Sequence, residues 1–173
     1  MTEADALRLA GQVPDDLEHD PRFPSLTSAQ KVLRAYWEAM GSWRQEEWTL
    51  PFTVLLDEVP IGLQALEGKD FPARRVVDTH SWLVPSARGR GLGKDMRAAV
   101  LSFAFGHLGA TTAITEAWDH NGASLGVSRA LGYVDNGVDV HPAGQQMQRM
   151  VLTSWTGRVE VSGLEACLPL LGL

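Results

Sequence analysis

An extended run, a glycine-rich turn, a long helical pattern and a second extended run follow one another between residues 75 and 118. No other feature restricts the fold as much. Arg75 to Val84 is rich in Val, Thr and Trp and halts at Pro85. Gly91 to Leu108 carries an apolar stripe of Leu92, Met96, Val100, Phe103 and Ala104, and Gly109 closes it. Thr112 to Trp118 is strand-like again. A strand that returns through a helix to another strand of its sheet demands at least one parallel pair.

Elsewhere hairpins dominate. Trp48, Leu50, Phe52, Val54 and Leu56 alternate with the period of a strand. Asp57-Glu-Val-Pro60 supplies a turn and Ile61 to Leu66 its hairpin partner. Tyr133 to Val140 and Gln146 to Trp155 flank His141-Pro-Ala-Gly144 as a closing hairpin. Thr27-Ser-Ala-Gln30 reads as a capping box, opening a helix with Val32, Leu33, Tyr36, Trp37 and Met40 on its apolar side and Gly41 as its stop. A further helix spans Asn121 to Leu131, capped by Asn121. Leu7 to Leu9 reads as a short strand, because Pro14, Pro21 and Pro24 exclude a long helix there. Leu164 to Leu171 is an apolar piece that either covers the sheet or forms a homodimer interface. The expected fold is α/β (α+β): a mixed, mostly antiparallel central sheet of six to seven strands with helices on both faces. The 173 residues make one domain, with 1–26 and 157–173 peripheral.

Composition removes several function classes. A formal charge of −6 and a pI near 5.3 argue against a general nucleic-acid binder. A single cysteine, Cys167, excludes an internal disulfide and a cysteine-built zinc site, and is expected to be buried. The opening residues lack a signal-peptide pattern, and no run reaches the ~18 to 20 apolar residues of a membrane span. A cytoplasmic protein that binds no membrane is the resulting expectation.

The chemistry concentrates in Arg88-Gly-Arg-Gly-Leu-Gly-Lys94. It is not a P-loop: the glycine required five positions before the Gly-Lys pair is Arg88, and Asp95 follows the lysine. It is not the dinucleotide fingerprint either, which would need glycine at Lys94. It still suits an anion. Glycines let backbone approach a ligand, amides at a helix start point outward, and Arg88, Arg90 and Lys94 add positive charge. A pyrophosphate is the natural guest; the plain alternative is a solvated turn whose glycines only permit the bend.

The pattern Leu83-x-Pro85-x-x-Arg88-x-x-Gly91-x-Gly93 resembles the acetyl-CoA pyrophosphate motif of the GNAT N-acetyltransferases. Asn121-Gly-Ala-Ser124 with Arg129-Ala-Leu-Gly-Tyr133 resembles the N-x-x-S and L-G-F/Y element of the branch containing the ribosomal-protein N-terminal (Rim-like) acetyltransferases. The likeness runs from about Trp48 to Val140, whereas the N-terminal third departs from the family pattern. The resemblance implies a GNAT-like fold and acetyl-CoA as cosubstrate, without a metal. Main-chain groups of Leu83 and Val84 would pair with the pantetheine arm. The amides of Arg88, Gly89, Arg90, Gly91, Leu92, Gly93 and Lys94 would hold the pyrophosphate. Trp82 to Val84 and Ile114 to Ala117 would face each other across splayed strands.

The implied reaction is direct attack of a neutral amine on the thioester. Glu116 falls at the family's base position, where burial or a water relay must help a carboxylate of ordinary pKa ~4.3; otherwise it is a strand-edge carboxylate. Ser124 matches a hydroxyl that donates to the departing thiolate, or is an ordinary first-turn serine. Asn121 both caps its helix and contacts the cofactor arm. Asp78 and His80 lie near enough to touch substrate, and His107, His120 and His141 show no metal spacing. Trp37, Trp43, Trp48 and Trp82 serve the core or line an aromatic acceptor pocket. The acceptor is a protein N-terminus or a small-molecule amine. A non-catalytic acyl-CoA-binding module and a ligand-free interaction protein are the rival readings.

Overall fold

Alternation from Trp48 onward produces β1 (Glu47–Leu56), and β2 (Val59–Lys69) returns antiparallel beside it. This computed structural model describes residues 1–15, 17, 23–140 and 144–173. The β1–β2 turn is tighter than the four-residue segment expected. Asp57 and Glu58 both take positive φ, 50° and 64°, the primed geometry that follows strand twist, so pairing resumes at Val59. A helical turn absent from the sequence reading, α3 (Phe71–Arg74), buries Phe71 and leads into β3 (Val76–Leu83). A 3-10 turn at Pro85–Ala87 precedes α4 (Leu92–His107), which crosses to β4 (Thr112–Trp118). Then come α5 (Gly122–Ala130), β5 (Val134–Val140) and β6 (Gln146–Leu152). The strand order is β1-β2-β3-β4-β6-β5, and among the described residues β3–β4 is its one parallel pair. The expected mixed sheet therefore forms with six strands. Its last strand stops at Leu152 rather than Trp155, and Pro21 and residues 141–143 lie outside the described residues.

Register sorts the strand side chains onto two faces. Trp48, Leu66, Val77, Ala113, Met150 and Leu152 pack against Val100, Leu101, Phe103 and Ala104 of α4 and Leu125 of α5, forming the main core. A fully buried side chain such as Leu66 contributes about 1.5–3 kcal/mol. On the opposite face, α1 (Glu3–Ala10) and α2 (Ser28–Gly41) bring Leu9 and Val32 against Ile61, Leu63 and Trp82. Beyond this covered half, the same face stays open from the end of β2 across β3, β4 and β6: Glu67 is half-buried, and His80, Glu116 and Arg149 are exposed, among the described residues.

Helix α1 replaces the strand expected at Leu7 to Leu9. The Thr2 hydroxyl accepts the Asp5 amide at 3.2 Å, and the Asp5 carboxylate accepts the Thr2 amide at 3.1 Å. Ala6, Leu9 and Ala10 then share one buried side. The prolines that forbid a long helix all follow Ala10, so eight helical residues fit before them. The Thr27–Gln30 box is present in α2, but Gly41 remains helical and Ser42 caps, its amide and hydroxyl both donating to the Glu38 carbonyl.

The C-terminal segment covers its own domain. Leu164, Leu168 and Leu171 join the main core, Trp43 Nε1 donates to Leu170 O at 3.2 Å, and His107 Nε2 lies 2.9 Å from Val159 O. Between this segment, β1 and α4 is an apolar cavity of about 570 Å³ that includes Phe52, Met96, Phe103 and Leu164 in its walls. Cys167 is exposed, contrary to expectation: it sits on the rim of the segment with Sγ toward Gly163 O. Of Trp37, Trp43, Trp48 and Trp82, Trp48 and Trp82 are buried, Trp43 is partly buried and Trp37 is exposed. Trp48 stacks on Trp43 and meets Phe71 edge-on, Trp82 is buried, and Trp37 ties α2 to α1 through Glu3. Among the described residues, no helix is long and apolar enough to cross a membrane.

Candidate active site

The parallel ladder between β3 and β4 lasts three residues, Val76 to Asp78 against Thr112 to Ile114, and the strands then part. Ile114 is still paired, so the gap opens one residue later on β4 than the family resemblance implies. Side chains replace main-chain bonds across the fork. Thr115 Oγ1 donates to Thr79 O at 2.8 Å. Behind it, Arg97 of α4 reaches Gln64 on β2 at 3.4 Å, Ser81 on β3 at 3.1 Å and Thr115 on β4 at 3.4 Å.

Arg97 is 3% exposed and touches no carboxylate, so burial lowers its pKa from the usual guanidinium range. The Tyr133 hydroxyl, buried nearby, makes no well-formed hydrogen bond among the described residues, and burial pushes its pKa up against the pull of the neighbouring Arg97 and Thr79. Sequence reasoning missed this polar floor. The available signal was position: Arg97 lies three residues before Val100 and four before Leu101, on the side of α4 that meets the core.

One end of the fork leads into the glycine turn. Gly89 and Gly91 adopt φ of +69° and +83°, conformations that favour glycine. A Cβ at either would meet no atom within 4 Å, so the space before these amides is open. Gly91 is the N-cap of α4 and offers no side-chain cap; only Lys94 and Asp95 close back onto its carbonyl. The helix thus begins with outward amides and a partial positive charge. Arg90, Lys94 and Arg88 surround it, all exposed, and Arg88 Nε also donates to Leu83 O at 3.0 Å. Val84 N donates to Ile61 O at 2.9 Å. Any ligand lying along the end of β3 must therefore use other main-chain groups, or the second lone pair of the Leu83 carbonyl. Gly93 lies at the α4–α5 contact, where its Cβ would be 3.6 Å from Val127.

Across the fork, α5 starts at the Asn121 cap, whose side chain accepts the Ser124 amide at 3.1 Å. Ser124 is half-buried in the first turn. Glu116 lies on the open face of β4 opposite Arg149 of β6, is exposed, and forms no ion pair or hydrogen bond among the described residues. Of the two aids expected for it, burial is absent and a water relay remains. Asp78 sits on the same face, half-buried, in the last rung of the ladder. Burial first, then the charges of Glu67 and Glu116, push its carboxyl up to about 6, against the lowering hydrogen bond from the Thr79 amide. His80 Nδ1 lies 3.2 Å from Glu67, and that hydrogen bond holds the Glu67 carboxyl below its ordinary range. His120 stacks on Trp118 and contacts Asp119, while His141 lies outside the described residues. Among the described residues, no group of His, Cys, Asp and Glu is arranged to hold a metal.

Solved structures share this architecture. Aminoglycoside acetyltransferase AAC(6')-Ib in complex with coenzyme A and kanamycin superposes with a TM-score of 0.69 at 22% identity, covering 88% of this chain and 91% of that one. A dodecameric spermidine N-acetyltransferase from Vibrio cholerae gives 0.67 at 16% identity, covering 88% and 90%. A Vibrio cholerae chain assigned as a ribosomal-protein-serine acetyltransferase gives 0.68 at 15%, covering 89% and 91%. At such identities these likenesses establish the fold. Residues 1–134, which carry the fork, the glycine turn and the α5 cap, match the family described as the acetyltransferase (GNAT) domain, and the chain belongs to that family.

Proposed function

We propose that this enzyme transfers the acetyl group of acetyl-CoA to a primary amine that is cationic in solution, a protein N-terminus or a small-molecule amine. The observation that carries the reading is the uncapped start of α4, with open space before Gly89 and Gly91 and three cations around it, directly beside a strand fork. Those groups fit a diphosphate. Amides from Arg88 to Lys94 would hold it, and Leu83, Val84 and Asn121 would line the arm leading into the fork. Bound there, acetyl-CoA supplies an acyl carbon activated as a thioester. Glu116 faces the amine and passes its proton to water, and Ser124 donates a hydrogen bond where negative charge gathers on sulfur. The acidic face holding Glu67, Asp78 and Glu116 supports a cationic acceptor.

Titration calorimetry with CoA tests the donor half. Release of free thiol from acetyl-CoA in the presence of spermidine, kanamycin and an alanine-initiated peptide tests the transfer. Tight CoA binding without turnover would favour a binding module. Glu116→Gln is expected to lower kcat/KM about 100-fold and to leave CoA affinity within about twofold of wild type. Unchanged turnover would remove Glu116 from the mechanism.

A further inference from the structure

A thioester donor held by its diphosphate at the glycine turn enters the fork acyl end first, because the acyl group lies at the far end of the arm from the phosphates. What that end meets is polar. Gln64, Thr79, Arg97 and Thr115 are four of the six buried polar or charged side chains among the described residues, and they gather where β3 and β4 part. The methyl of an acetyl group gains nothing from such a surface and leaves its polar groups unpaired.

The cluster holds more donors than acceptors. A guanidinium carries five N–H bonds. Arg97 uses three of them, on Gln64, Ser81 and Thr115, which leaves two without a well-formed acceptor among the described residues. The Tyr133 hydroxyl beside it lacks one as well. All three hydrogen-bond partners of the guanidinium are neutral, and the Asp78 carboxylate, whose charge reaches it, alternates onto the other face of β3. A cation only 3% exposed is costly to leave unpaired. One negative charge and two acceptor oxygens are what the niche is missing, and a carboxylate supplies both.

We propose that the fork takes acyl groups ending in a carboxylate, those of short dicarboxylic acyl-CoA thioesters such as malonyl- and succinyl-CoA, and binds them ahead of acetyl-CoA, with the terminal carboxylate on Arg97 and Tyr133. This rests on the donor site of the reading above and changes only the acyl group that the site favours. The reach fits. Ser81 to Thr79 spans two residues of strand, about 7 Å. An acetyl group ends one C–C bond past its carbonyl carbon, a malonyl group two and a succinyl group three, at about 1.5 Å each. The two sides of the fork then suit two opposite ions: Glu67, Asp78 and Glu116 face the ammonium, and Arg97 lies behind the sheet for the acyl carboxylate. The transfer balances as before. The R–NH3⁺ group gives one proton to water, its nitrogen forms the N–C bond, the C–S bond breaks, and the second nitrogen proton goes to sulfur. Succinyl-CoA thus yields R–NH–CO–CH2–CH2–COO⁻, CoASH and one H⁺, with the terminal carboxylate unchanged.

Binding tests this without an acceptor. Titration calorimetry on the full chain compares succinyl- and malonyl-CoA with butyryl-CoA, acetyl-CoA and CoA; butyryl has the carbon count of succinyl and lacks its carboxylate. The better of the two carboxyacyl thioesters should bind at least about 10-fold more tightly than butyryl- and acetyl-CoA. Arg97→Gln should bring that ratio to one or below, Arg97→Lys should keep part of it, and Tyr133→Phe should lower it about fivefold. Ratios within one variant separate this effect from a general loss of donor affinity, and a thermal melt checks each fold. Should Arg97→Gln not fold, the wild-type ratio and Tyr133→Phe still decide. With succinyl- and acetyl-CoA at equal concentration, mass spectrometry of the three amines above should find the succinyl amide in excess. Carboxyacyl thioesters bound no more tightly than butyryl-CoA, or an Arg97→Gln ratio equal to that of wild type, would overturn the proposal while leaving acetyl transfer intact. A wild-type protein that binds no CoA at all would overturn the donor site and the proposal together.

Discussion

Gly91→Val is expected to weaken CoA binding at least about 100-fold while the protein still folds. At φ +83° a β-branched residue is strained by roughly 1–2 kcal/mol, and its side chain would project into the open space before the first amides of α4. Displacing a phosphate from two charge-assisted amide bonds forfeits about 3 kcal/mol, close to two powers of ten in affinity. No atom within 4 Å opposes the new Cβ, so the melting temperature should fall by only about 2–8 °C, the strain alone. Calorimetry with CoA and a thermal melt check both halves. A dissociation constant within threefold of wild type would mean that this turn does not hold the diphosphate.

That corner of the molecule was legible because its signals are local: a run rich in Val, Thr and Trp before Pro85, a 3.6-residue stripe after Gly91, and glycines and cations between them. The paired β1–β2 strands, the Thr27–Gln30 cap and the Asn121 cap were legible for the same reason. Leu7 to Leu9 misled because three adjacent residues fit either period, and the deciding signal was the Thr2–Asp5 pair, which lies outside them. Arg97 was hidden by its type. An arginine in an amphipathic helix reads as solvent-facing, and only the parting of β3 from β4 creates a buried polar niche for it.

The acceptor side was less legible still. Asp78, His80, Glu67 and Glu116 come from three strands, and their sharing one face follows from two registers that no local pattern fixes. Glu116 could be named only through the family resemblance, from its place on the strand before Asn121. The environment of Asp78 depends on which charges the sheet folds beside it, which is why its altered carboxyl appears only in three dimensions.

Gly62 tests how firmly the sheet aims the donor turn. Paired with Leu83 across β2–β3, it brings two backbones so close that an added Cβ would sit 2.3 Å from the Trp82 carbonyl oxygen and 3.1 Å from the Leu83 Cα. Those are main-chain atoms, and they are held: Trp82 and Leu83 are buried, and the Val84 amide is bonded to Ile61. Gly62→Ala must therefore pry the end of β3 away from β2, at an expected cost of about 2–4 kcal/mol and a fall in Tm of roughly 5–12 °C. The chain enters the glycine turn immediately after that point, so CoA affinity should fall together with stability. Gly91→Val should separate the two effects, whereas Gly93→Ala, with only ordinary contacts of 3.6 and 3.9 Å, should change neither by much. If Gly62→Ala melted within a degree of wild type, the close β2–β3 approach would not be what fixes the direction of β3. The position of the turn would then have to come from α4 and α5 alone.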